Sequence, residues 1–425
     1  MNAAPAPAPL LPSLRTSLRR RMKALTLRFQ PGVAPEGRQL IVDVSVIIQQ
    51  DVRTGIQRVV RALLGQLSVA AGPDLVVQPV FVSRDHGYCR AVLTSEGRIT
   101  GASQNSLLQP VMARRGDVFL GLDLAAHLLP QAEADLARWR RDGVSINIMV
   151  YDLLPLVRPD WFPQRTARRF DLWLGVLARQ ADRCICISKT VAQMLTQELA
   201  ARSPGPLPEV TSIPLGSDLA ASYPSRGFPA EIASLREWLR RHRVLLSVGT
   251  IEPRKGQQQL LAALSQHWQA EPASDIALLV VGRPGWKTAD LQAQLRDHPE
   301  QGRRLRWLEG VSDELLAEFY TDVAGLVAAS HGEGFGLPLL EALAHGTPVL
   351  ARDLPVFREI GGSLFDYFDD DAPERLAARL QSWLDQARRP SAETVAALPR
   401  WADSAAALAR CICVLLAHDG KGVAA

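Results

Sequence analysis

From residue 39 onward, short apolar runs alternate with longer segments in which apolar residues recur every three or four positions. Short apolar runs are typical of buried strands, whereas the three-to-four spacing is typical of helices with one buried face. In the first half we predict strands at 40–44, 75–82, 117–121, 144–150 and 183–187, and helices near 131–141, 164–180 and 189–201. This alternation predicts a parallel sheet that is covered by helices on both faces.

The same alternation resumes beyond a stretch between residues 214 and 229 that is rich in glycine, proline and serine. There we predict strands at 244–250, 278–282, 305–309, 322–329 and 348–351, and helices at 338–346, 355–360, 373–388 and 402–416. Because one core rarely supports 425 residues, we expect two domains. We predict a basic N-terminal segment at 1–38, an N-terminal domain at 39–220, a C-terminal domain at 230–400 and a final helix at 401–425.

The stretch from Ser330 to Val349 combines the end of a strand, a glycine-rich turn and a helix. Beyond Pro338, apolar residues recur at helical spacing as far as Gly346. Gly334 and Gly336 allow the backbone to approach a ligand closely, and a proline in the first helical turn breaks no hydrogen bond. The free amides of that turn, together with the helix dipole, predict a site for an anion such as a phosphate.

Two carboxylates belong to this stretch. Glu333 precedes the helix and Glu341 lies about one turn inside it, so both can face one pocket. Carboxylates accept hydrogen bonds from hydroxyl groups, so an anion site with two such acceptors suits a sugar joined to a diphosphate. Taken singly, each residue has a simpler interpretation: Glu333 caps the helix, and Glu341 is a solvated helical residue. For the whole stretch we favour the ligand site.

The segment Glu-Gly-Phe-Gly-Leu-Pro-Leu-Leu-Glu-Ala at 333–342 resembles the nucleotide-sugar signature of glycosyltransferase family 4. The resemblance extends from about residue 43 to residue 361. It implies the GT-B fold, an α/β architecture with two Rossmann-like domains facing across a cleft, and sugar transfer with retention of the anomeric configuration. In that family the first glutamate, here Glu333, contacts the donor sugar, and the second, Glu341, contacts the ribose. The diphosphate would lie against the turn formed by Gly334, Phe335, Gly336 and Leu337.

Two further loops resemble parts of the same donor site. Arg254 and Lys255 are adjacent cations at the end of a predicted strand, where they can bind phosphate oxygens. Many family members carry an arginine directly after the preceding glycine, where this chain has Thr250, so we expect Arg254 to supply that guanidinium. The loop that reads the nucleotide base is expected at Gly310 and Val311.

In the N-terminal half, Thr-Gly-Ile-Gln-Arg at 54–58 resembles the first strand-to-helix loop of the family, whose glycine, here Gly55, lies against the cleft. Asp152 follows a predicted strand at the edge where open α/β sheets bind ligands. It is our candidate for orienting the acceptor hydroxyl, although it could equally cap the next turn. Many relatives have histidine where this chain has Tyr151, which leaves the acceptor contact open. By the same resemblance, the final helix would brace the N-terminal domain.

The net charge of +4 hides an asymmetry, because the basic excess lies entirely within residues 1–40. Apolar residues recur at helical spacing across 13–29, which predicts a basic amphipathic helix. Such a helix either lies on an anionic membrane surface or packs on the first domain with its arginines in water.

The five cysteines are too few and too unevenly placed for a disulfide framework. No apolar run approaches the roughly 20 residues of a membrane span, and the basic cluster does not precede an apolar core as in a signal peptide. We therefore expect the protein in the cytosol.

The segments Tyr-Asp-Leu-Leu-Pro at 151–155 and Thr-Gly-Ile-Gln-Arg at 54–58 resemble those of bacterial mannosyl- or rhamnosyltransferases of surface polysaccharide assembly. This resemblance implies a glycosyltransferase that uses a nucleoside-diphosphate sugar, with GDP-mannose as the first choice, and a glycan or lipid-linked glycan as acceptor. No acidic cluster accompanies the motifs, so we expect neither a metal nor another cofactor, and no nucleic-acid partner. A dinucleotide-dependent oxidoreductase is disfavoured because no G-x-G-x-x-G string follows the first strand. A non-catalytic protein that binds sugar nucleotides is the alternative.

Overall fold

The computed structural model describes residues 37–72, 75–101, 103–104, 107–202, 205–369 and 372–418. Within these residues, two large sheets follow one another along the chain, and most neighbouring strands in them are parallel. The predicted basic helix at 13–29, and with it the membrane contact expected of it, lies outside the described residues.

The first half of the chain forms the first sheet. Its strands are β1 (Arg38–Asp43), β2 (Leu75–Ser83), β3 (Gly87–Leu93), β4 (Ile99–Gly101), β5 (Ser103–Gln104), β6 (Leu107–Leu108), β7 (Val118–Gly121), β8 (Ser145–Val150), β9 (Arg183–Cys186) and β10 (Glu209–Ser212). β5 and β6 form a separate antiparallel pair, and the others are ordered β10-β9-β8-β7-β1-β2-β3-β4. Only the β2–β3 and β3–β4 pairs of this sheet are antiparallel.

The helices that alternate with these strands are α1 (Ser45–Gln49), α2 (Gly55–Ala70), α3 (Glu133–Arg141), α4 (Leu154–Val157), α5 (Gln164–Gln180) and α6 (Lys189–Arg202). Helix α2 begins at a capping box, because Thr54 accepts from the Gln57 amide while the Gln57 side chain accepts from the Thr54 amide. This fixes the first turn of α2.

The second sheet contains β11 (Arg243–Val248), β12 (Ile276–Val281), β13 (Leu305–Leu308), β14 (Gly325–Ala328), β15 (Val349–Arg352) and β16 (Asp366–Phe368). All its strands are parallel and their order is β13-β12-β11-β14-β15-β16, which is the doubly wound Rossmann order.

The helices of this half are α7 (Ile232–Arg241), α8 (Gln257–Ala270), α9 (Ala289–Asp297), α10 (Asp313–Asp322), α11 (Leu337–Ala344), α12 (Pro355–Gly361), α13 (Pro373–Gln386), α14 (Ala392–Ala396) and α15 (Trp401–His418). Helix α15 returns to the first half of the fold and packs along α2. We call the first sheet with α1–α6 and α15 the N-terminal unit, and the second sheet with α7–α13 the C-terminal unit.

Both sheets bury side chains on both faces. Successive residues of a strand point to opposite faces, so Leu40 and Ile41 of β1 belong to different apolar clusters, as do Val244 and Leu245 of β11. One cluster contains residues of both sheets and includes the buried Trp401 of α15. The two units therefore share a continuous apolar core beside the segments that connect them.

The chain passes between the units twice, and the two connecting segments are hydrogen-bonded to each other. The Ser217 amide donates to the Pro399 carbonyl at 3.0 Å, and the Trp401 amide donates to Asp218 Oδ1 at 2.8 Å. A side chain at Gly216 would collide with the Trp401 backbone, because its Cβ would lie 2.3 Å from the Trp401 nitrogen. These contacts fix where α15 begins.

The strands and helices predicted from the apolar pattern are confirmed. The pattern missed the strands β3, β4, β5, β6, β10 and β16, which are short or lie at or next to a sheet edge. In β3 and β10, buried and partly exposed positions are mixed, so neither gives a continuous apolar run. Edge strands carry one unpaired side and need less apolar sequence, which is why periodicity did not detect them.

The packing of α15 on the N-terminal unit leads to a stability prediction. Leu408 is fully buried in the shared core, so Leu408→Ala should lower the free energy of unfolding by about 2–5 kcal/mol. Chemical denaturation monitored by circular dichroism would measure this loss. Arg410→Ala, at an exposed position of the same helix, is the matched control and should leave the midpoint unchanged. Equal midpoints for all three proteins would contradict the packing.

Candidate functional site

Two loops meet where the strand order of the second sheet reverses. Strands β11 and β14 pair directly, and the chain leaves them for helices α8 and α11. Residues 249–256 follow β11 and residues 329–336 follow β14, so both loops lie at the carboxyl edge of adjacent strands. In open α/β sheets ligands bind at this position.

Three side chains, two of them cationic, donate hydrogen bonds to the Glu333 carboxylate. Its Oε1 accepts from Lys255 Nζ at 2.5 Å and from Ser330 Oγ at 2.8 Å, while Oε2 accepts from Arg254 Nη1 at 2.6 Å. Burial by itself would raise the pKa of Glu333, but Arg254 and then Lys255 outweigh it and lower the pKa to about 2. The carboxylate is therefore ionised at neutral pH, and it does not cap helix α11.

Arg254 is anchored by more than Glu333. The segment Pro253–Lys255 forms a single 3-10 turn, from which Arg254 Nε donates to Glu252 Oε2 at 2.8 Å. Its Nη1 also donates to the Gly332 carbonyl at 3.1 Å, and its carbonyl accepts from the His331 amide at 2.7 Å. The two loops are thereby tied together through both side chain and backbone.

Glu341 is the most enclosed charge of the motif. Its side chain is 3% exposed, which rules out the interpretation of Glu341 as a solvated helical residue. Oε2 accepts from the Tyr320 hydroxyl at 2.8 Å, and Oε1 accepts from Arg58 Nη1. The other terminal nitrogen of Arg58 is paired with Asp313. Arg58 belongs to α2, so this carboxylate is neutralised by the other unit.

The glycine turn is shaped by the N-terminal unit as well as by helix α11. At Gly334 a side chain is impossible, because its Cβ would lie 2.0 Å from the Tyr151 carbonyl oxygen. Gly336 has a φ of 119° and serves as the N-cap, and Pro338 lies in the first turn of α11, as predicted. The side chains of Phe335 and Leu337 are buried, so only their backbones can reach a ligand.

A small cavity lies under the start of α11. Its lining includes Ser247, Lys255, Gln257, Glu333, Gly336 and Pro338. Within the described part of the chain, no side chain caps α11 and Gln257 Oε1 has no hydrogen-bond partner. The uncapped start of a helix, an ammonium and one unfilled acceptor lie together here, which suits a ligand with both phosphate and hydroxyl groups.

On the N-terminal side, Asp152 lies next to Gly334, and its Oδ1 accepts from the Leu154 amide at 3.2 Å. It therefore caps the turn at α4, and its acceptor role stays a prediction. Burial raises the pKa of Asp152, while the nearby Arg254 opposes that shift. Tyr151 is buried and its hydroxyl donates to the Leu122 carbonyl at 2.6 Å, so this donor is already used within the N-terminal unit.

The remaining predicted residues lie at the margins of this arrangement. A Cβ at Gly55 would lie 3.8 Å from Leu337, so Gly55 faces α11 across the cleft. Gly310 has a φ of 66° and open space around it, and Val311 packs on the shared core. The structure connects this loop to Glu341 only indirectly, through Asp313 and Arg58.

The two units touch along the cleft through several more contacts. Ser188 Oγ donates to the Gly334 carbonyl at 2.9 Å, and the Glu359 carboxylate accepts from the Lys189 and Thr190 amides at the start of α6. Trp286 Nε1 donates to the Trp161 carbonyl at 2.8 Å. The first of these contacts holds the loop after β14 against the N-terminal unit, and the others attach α12 and the segment after β12.

Sequence reasoning missed Arg58, Glu252, Asp313 and Tyr320 as parts of the site. Arg58 lies within the quoted 54–58 motif, and Glu252 directly precedes the Pro-Arg-Lys turn, so sequence signals existed for both. Nothing in the local sequence marks Tyr320 or Asp313, whose roles depend on tertiary contacts.

A second group of buried carboxylates lies where the order of the first sheet reverses, between β1 and β7. Asp43 accepts from the amide and hydroxyl of Ser45 and from the Tyr88 hydroxyl, and Asp123 accepts from the Val46 and Ile47 amides. Burial raises the pKa of Asp43 to about 7 and that of Asp123 to about 6. The hydrogen bonds from α1 are those of a structural cap.

Among the described residues, no three His, Cys, Asp or Glu side chains are grouped to hold a metal ion, and the absence of a metal requirement stays a prediction. None of the helices in the described ranges has the length and apolar character to cross a bilayer.

Residues 236–396 match the family described as "Glycosyl transferases group 1". The chain is also 38% identical over 365 residues to the serotype-specific mannosyltransferase WbdA of Escherichia coli. That match covers 84% of this chain but 43% of the relative, so the chain spans less than half of the relative's length.

Among solved structures, sucrose-phosphate synthase from Thermosynechococcus elongatus matches with a TM-score of 0.63 at 20% identity, covering 90% of this chain and 100% of that one. Anabaena HepE in complex with UDP-glucose matches with a TM-score of 0.54 at 16% identity, covering 91% and 100%. These likenesses show the fold, and the GT-B architecture predicted from the sequence is confirmed.

The buried Asp43 leads to a pH prediction. Its pKa is about 7 in the folded protein instead of 3.8, so between these values the folded state binds more protons than the unfolded state. The free energy of unfolding should therefore fall, by up to roughly 4 kcal/mol, as the pH rises from 4 to 7. Urea denaturation at pH 5 and pH 8 should show a smaller pH effect for Asp43→Asn than for the unmodified protein.

The exposed Asp142 provides the control, and Asp142→Asn should retain the full pH effect. If Asp43→Asn and the unmodified protein changed equally between the two pH values, the raised pKa of Asp43 would be refuted.

Proposed function

Because residues 236–396 form a group 1 glycosyltransferase domain, we propose that this chain transfers a mannosyl residue from a nucleoside-diphosphate sugar to a glycan or lipid-linked glycan. The observation that carries the proposal is the ionised Glu333, held by Arg254 and Lys255 beside the uncapped start of α11. Mannose as the sugar, and hence GDP-mannose as the donor, is supported by the identity to a relative named as a mannosyltransferase.

The diphosphate would bind between the start of α11 and the Lys255 ammonium. An ammonium has three donors, and the contact to Glu333 uses one of them, so two remain for phosphate oxygens. Arg254 adds a second positive charge and stands in for the arginine that the family carries at the position of Thr250. Departure of the diphosphate builds up negative charge, which these preorganised donors would stabilise.

The sugar would lie against Glu333. Three hydrogen bonds already fix its carboxylate, and an ionised carboxylate can accept about four, so one position remains for a sugar hydroxyl. A fixed negative charge near the anomeric carbon would also favour a transition state with oxocarbenium character. Retention of configuration follows from the resemblance to family 4.

The acceptor would enter from the N-terminal unit, with Asp152 as the candidate for orienting its hydroxyl. Since Asp152 Oδ1 accepts a hydrogen bond from the Leu154 amide, Oδ2 is the oxygen that would face the acceptor. A glycan is the proposed acceptor because the mannosyltransferase relative is named as serotype-specific.

A direct experiment combines binding and transfer. Thermal-shift measurements with UDP-, GDP-, ADP- and dTDP-sugars would identify the nucleotide, and release of nucleoside diphosphate with mannoside acceptors would measure transfer. We expect GDP-mannose to stabilise the protein and to be consumed only with an acceptor. Binding without transfer or hydrolysis would favour the alternative of a non-catalytic sugar-nucleotide-binding protein. Absence of all binding would refute the proposal.

The role of Lys255 can be tested by binding alone. Lys255→Ala should weaken binding of the nucleoside diphosphate and of the intact donor alike, by roughly ten- to a hundredfold, because it removes a charge-assisted contact to phosphate and none to the sugar. Calorimetry with GDP and GDP-mannose would measure both constants. Lys189→Ala, which removes an exposed lysine, is the control. Unchanged GDP affinity would show that Lys255 serves only to hold Glu333.

The two glutamates should separate kinetically. Glu333→Gln removes charge next to the reacting carbon, so it should lower kcat at least about tenfold with little effect on GDP binding. Glu341→Gln removes a contact to the unreacting ribose, so it should raise the donor KM and the dissociation constant of GDP by about tenfold. Steady-state kinetics and calorimetry decide between these outcomes. Equal losses of nucleotide affinity without loss of turnover would contradict the assignment of Glu333 to the sugar.

A further inference from the structure

Besides Gly55, the segment 54–58 contributes Arg58 to the site. The capping box formed by Thr54 and Gln57 fixes the first turn of α2, and the Arg58 amide donates to the Thr54 carbonyl at 2.9 Å. From this rigid turn the Arg58 side chain crosses to the C-terminal unit. It is 15% exposed there, so most of the guanidinium is enclosed by protein.

Arg58 ends between two carboxylates of the C-terminal unit. One terminal nitrogen is paired with Glu341 and the other with Asp313, whose side chains are 3% and 12% exposed. A planar guanidinium can serve two carboxylates in a fixed geometry, which a lysine cannot do. Removing a partner of a buried carboxylate is costly, because an uncompensated buried charge remains.

We propose that Arg58 is a positioning residue of the donor site, which holds the Glu341 carboxylate in the orientation that accepts the ribose hydroxyls. The inference rests on the proposed function, in which Glu341 binds the ribose of a nucleoside diphosphate.

The hydrogen-bond capacity of Glu341 supports this role. Oε1 accepts from Arg58 and Oε2 from the Tyr320 hydroxyl, so each oxygen uses one of its two lone pairs. One lone pair on each oxygen remains. Two adjacent acceptors match the two neighbouring hydroxyls of a ribose, so Arg58 and the ribose can be bound together and do not compete.

Arg58 also connects ribose binding with the position of the N-terminal unit. Its second partner, Asp313, accepts from the amide and hydroxyl of Ser225 at 2.7 and 2.8 Å, in the segment that joins the units. If the cleft opened, Glu341 would lose its counter-charge. Nucleotide bound through its ribose therefore stabilises the arrangement in which Arg58 reaches across.

The experiment compares ribose recognition with and without this guanidinium. Calorimetry would measure binding of GDP and of 2′,3′-dideoxy-GDP to the unmodified protein and to Arg58→Met, with the UDP and ADP pairs used in the same way if either nucleotide binds more tightly. The unmodified protein should prefer the ribose form by about tenfold. In Arg58→Met we expect that preference to shrink to less than about threefold.

Arg53→Met is the matched control. Arg53 lies two residues before the start of α2 and is 3.5 Å from Asp313, but its side chain is 42% exposed and is paired with Asp313 instead of Glu341. It should retain the preference for the ribose form. The double variant Arg58→Met with Glu341→Gln should bind GDP no more weakly than Glu341→Gln alone, because the two residues act on the same contact.

Arg58→Lys provides a milder variant, which keeps the charge but cannot bridge both carboxylates, and it should show an intermediate preference. Thermal unfolding would verify that each variant folds. If the unmodified protein binds nucleotide and Arg58→Met or Arg58→Lys keeps the full preference for the ribose form, the role of Arg58 is overturned while the proposed function stands. If the unmodified protein binds none of the nucleotides, the proposed function fails, and the assignment of Arg58 fails with it.

Discussion

The site depends on the need to neutralise buried carboxylates. Glu333 is enclosed by protein, and a lone ionised carboxylate in such a position is strongly unfavourable. Arg254 and Lys255 compensate it, and they can do so because β11 and β14 are paired strands whose loops leave the same edge. The buried carboxylate of Glu341 is also paired with a cation, but that cation is Arg58 of the N-terminal unit. Charge balance therefore determines both the arrangement of the two loops at this edge of the sheet and the contact between the two halves of the molecule.

The sequence predicted those parts of the site that depend on one element or on neighbouring strands. The strand, turn and helix around Glu333 follow from periodicity and glycine placement, and the Pro-Arg-Lys loop is placed at the carboxyl end of a strand of the same predicted sheet. Its approach to Glu333 depends on the pairing of β11 with β14, which are separated along the chain by β12 and β13. The pairing of Arg58 with Glu341 joins residues 283 positions apart, and no local pattern encodes it. The burial of Glu341 was equally beyond prediction, because it depends on how α2 and α10 enclose α11.

Gly334 was predicted as a site residue, and the structure gives a second reason why this position must be glycine. Its place in the glycine-rich turn predicts a close approach to a ligand, and in the structure the Tyr151 carbonyl of the N-terminal unit already requires a glycine there. Ser188 donates to the carbonyl of the same residue. The turn is thus fixed from the side of the N-terminal unit. A substitution at this position would disturb the approach of the two units before it disturbed any ligand.

The return of α15 to α2 also constrains the order in which the protein can be made. The apolar face of α2 that α15 covers leaves the ribosome early, yet its partner follows only after roughly 330 more residues, which takes about 15–65 s of synthesis. During that interval the N-terminal sheet can form, but one side of its helical layer stays uncovered. Completion of this first half therefore waits for the synthesis of α15, and until then the nascent chain offers a chaperone the apolar surface of α2.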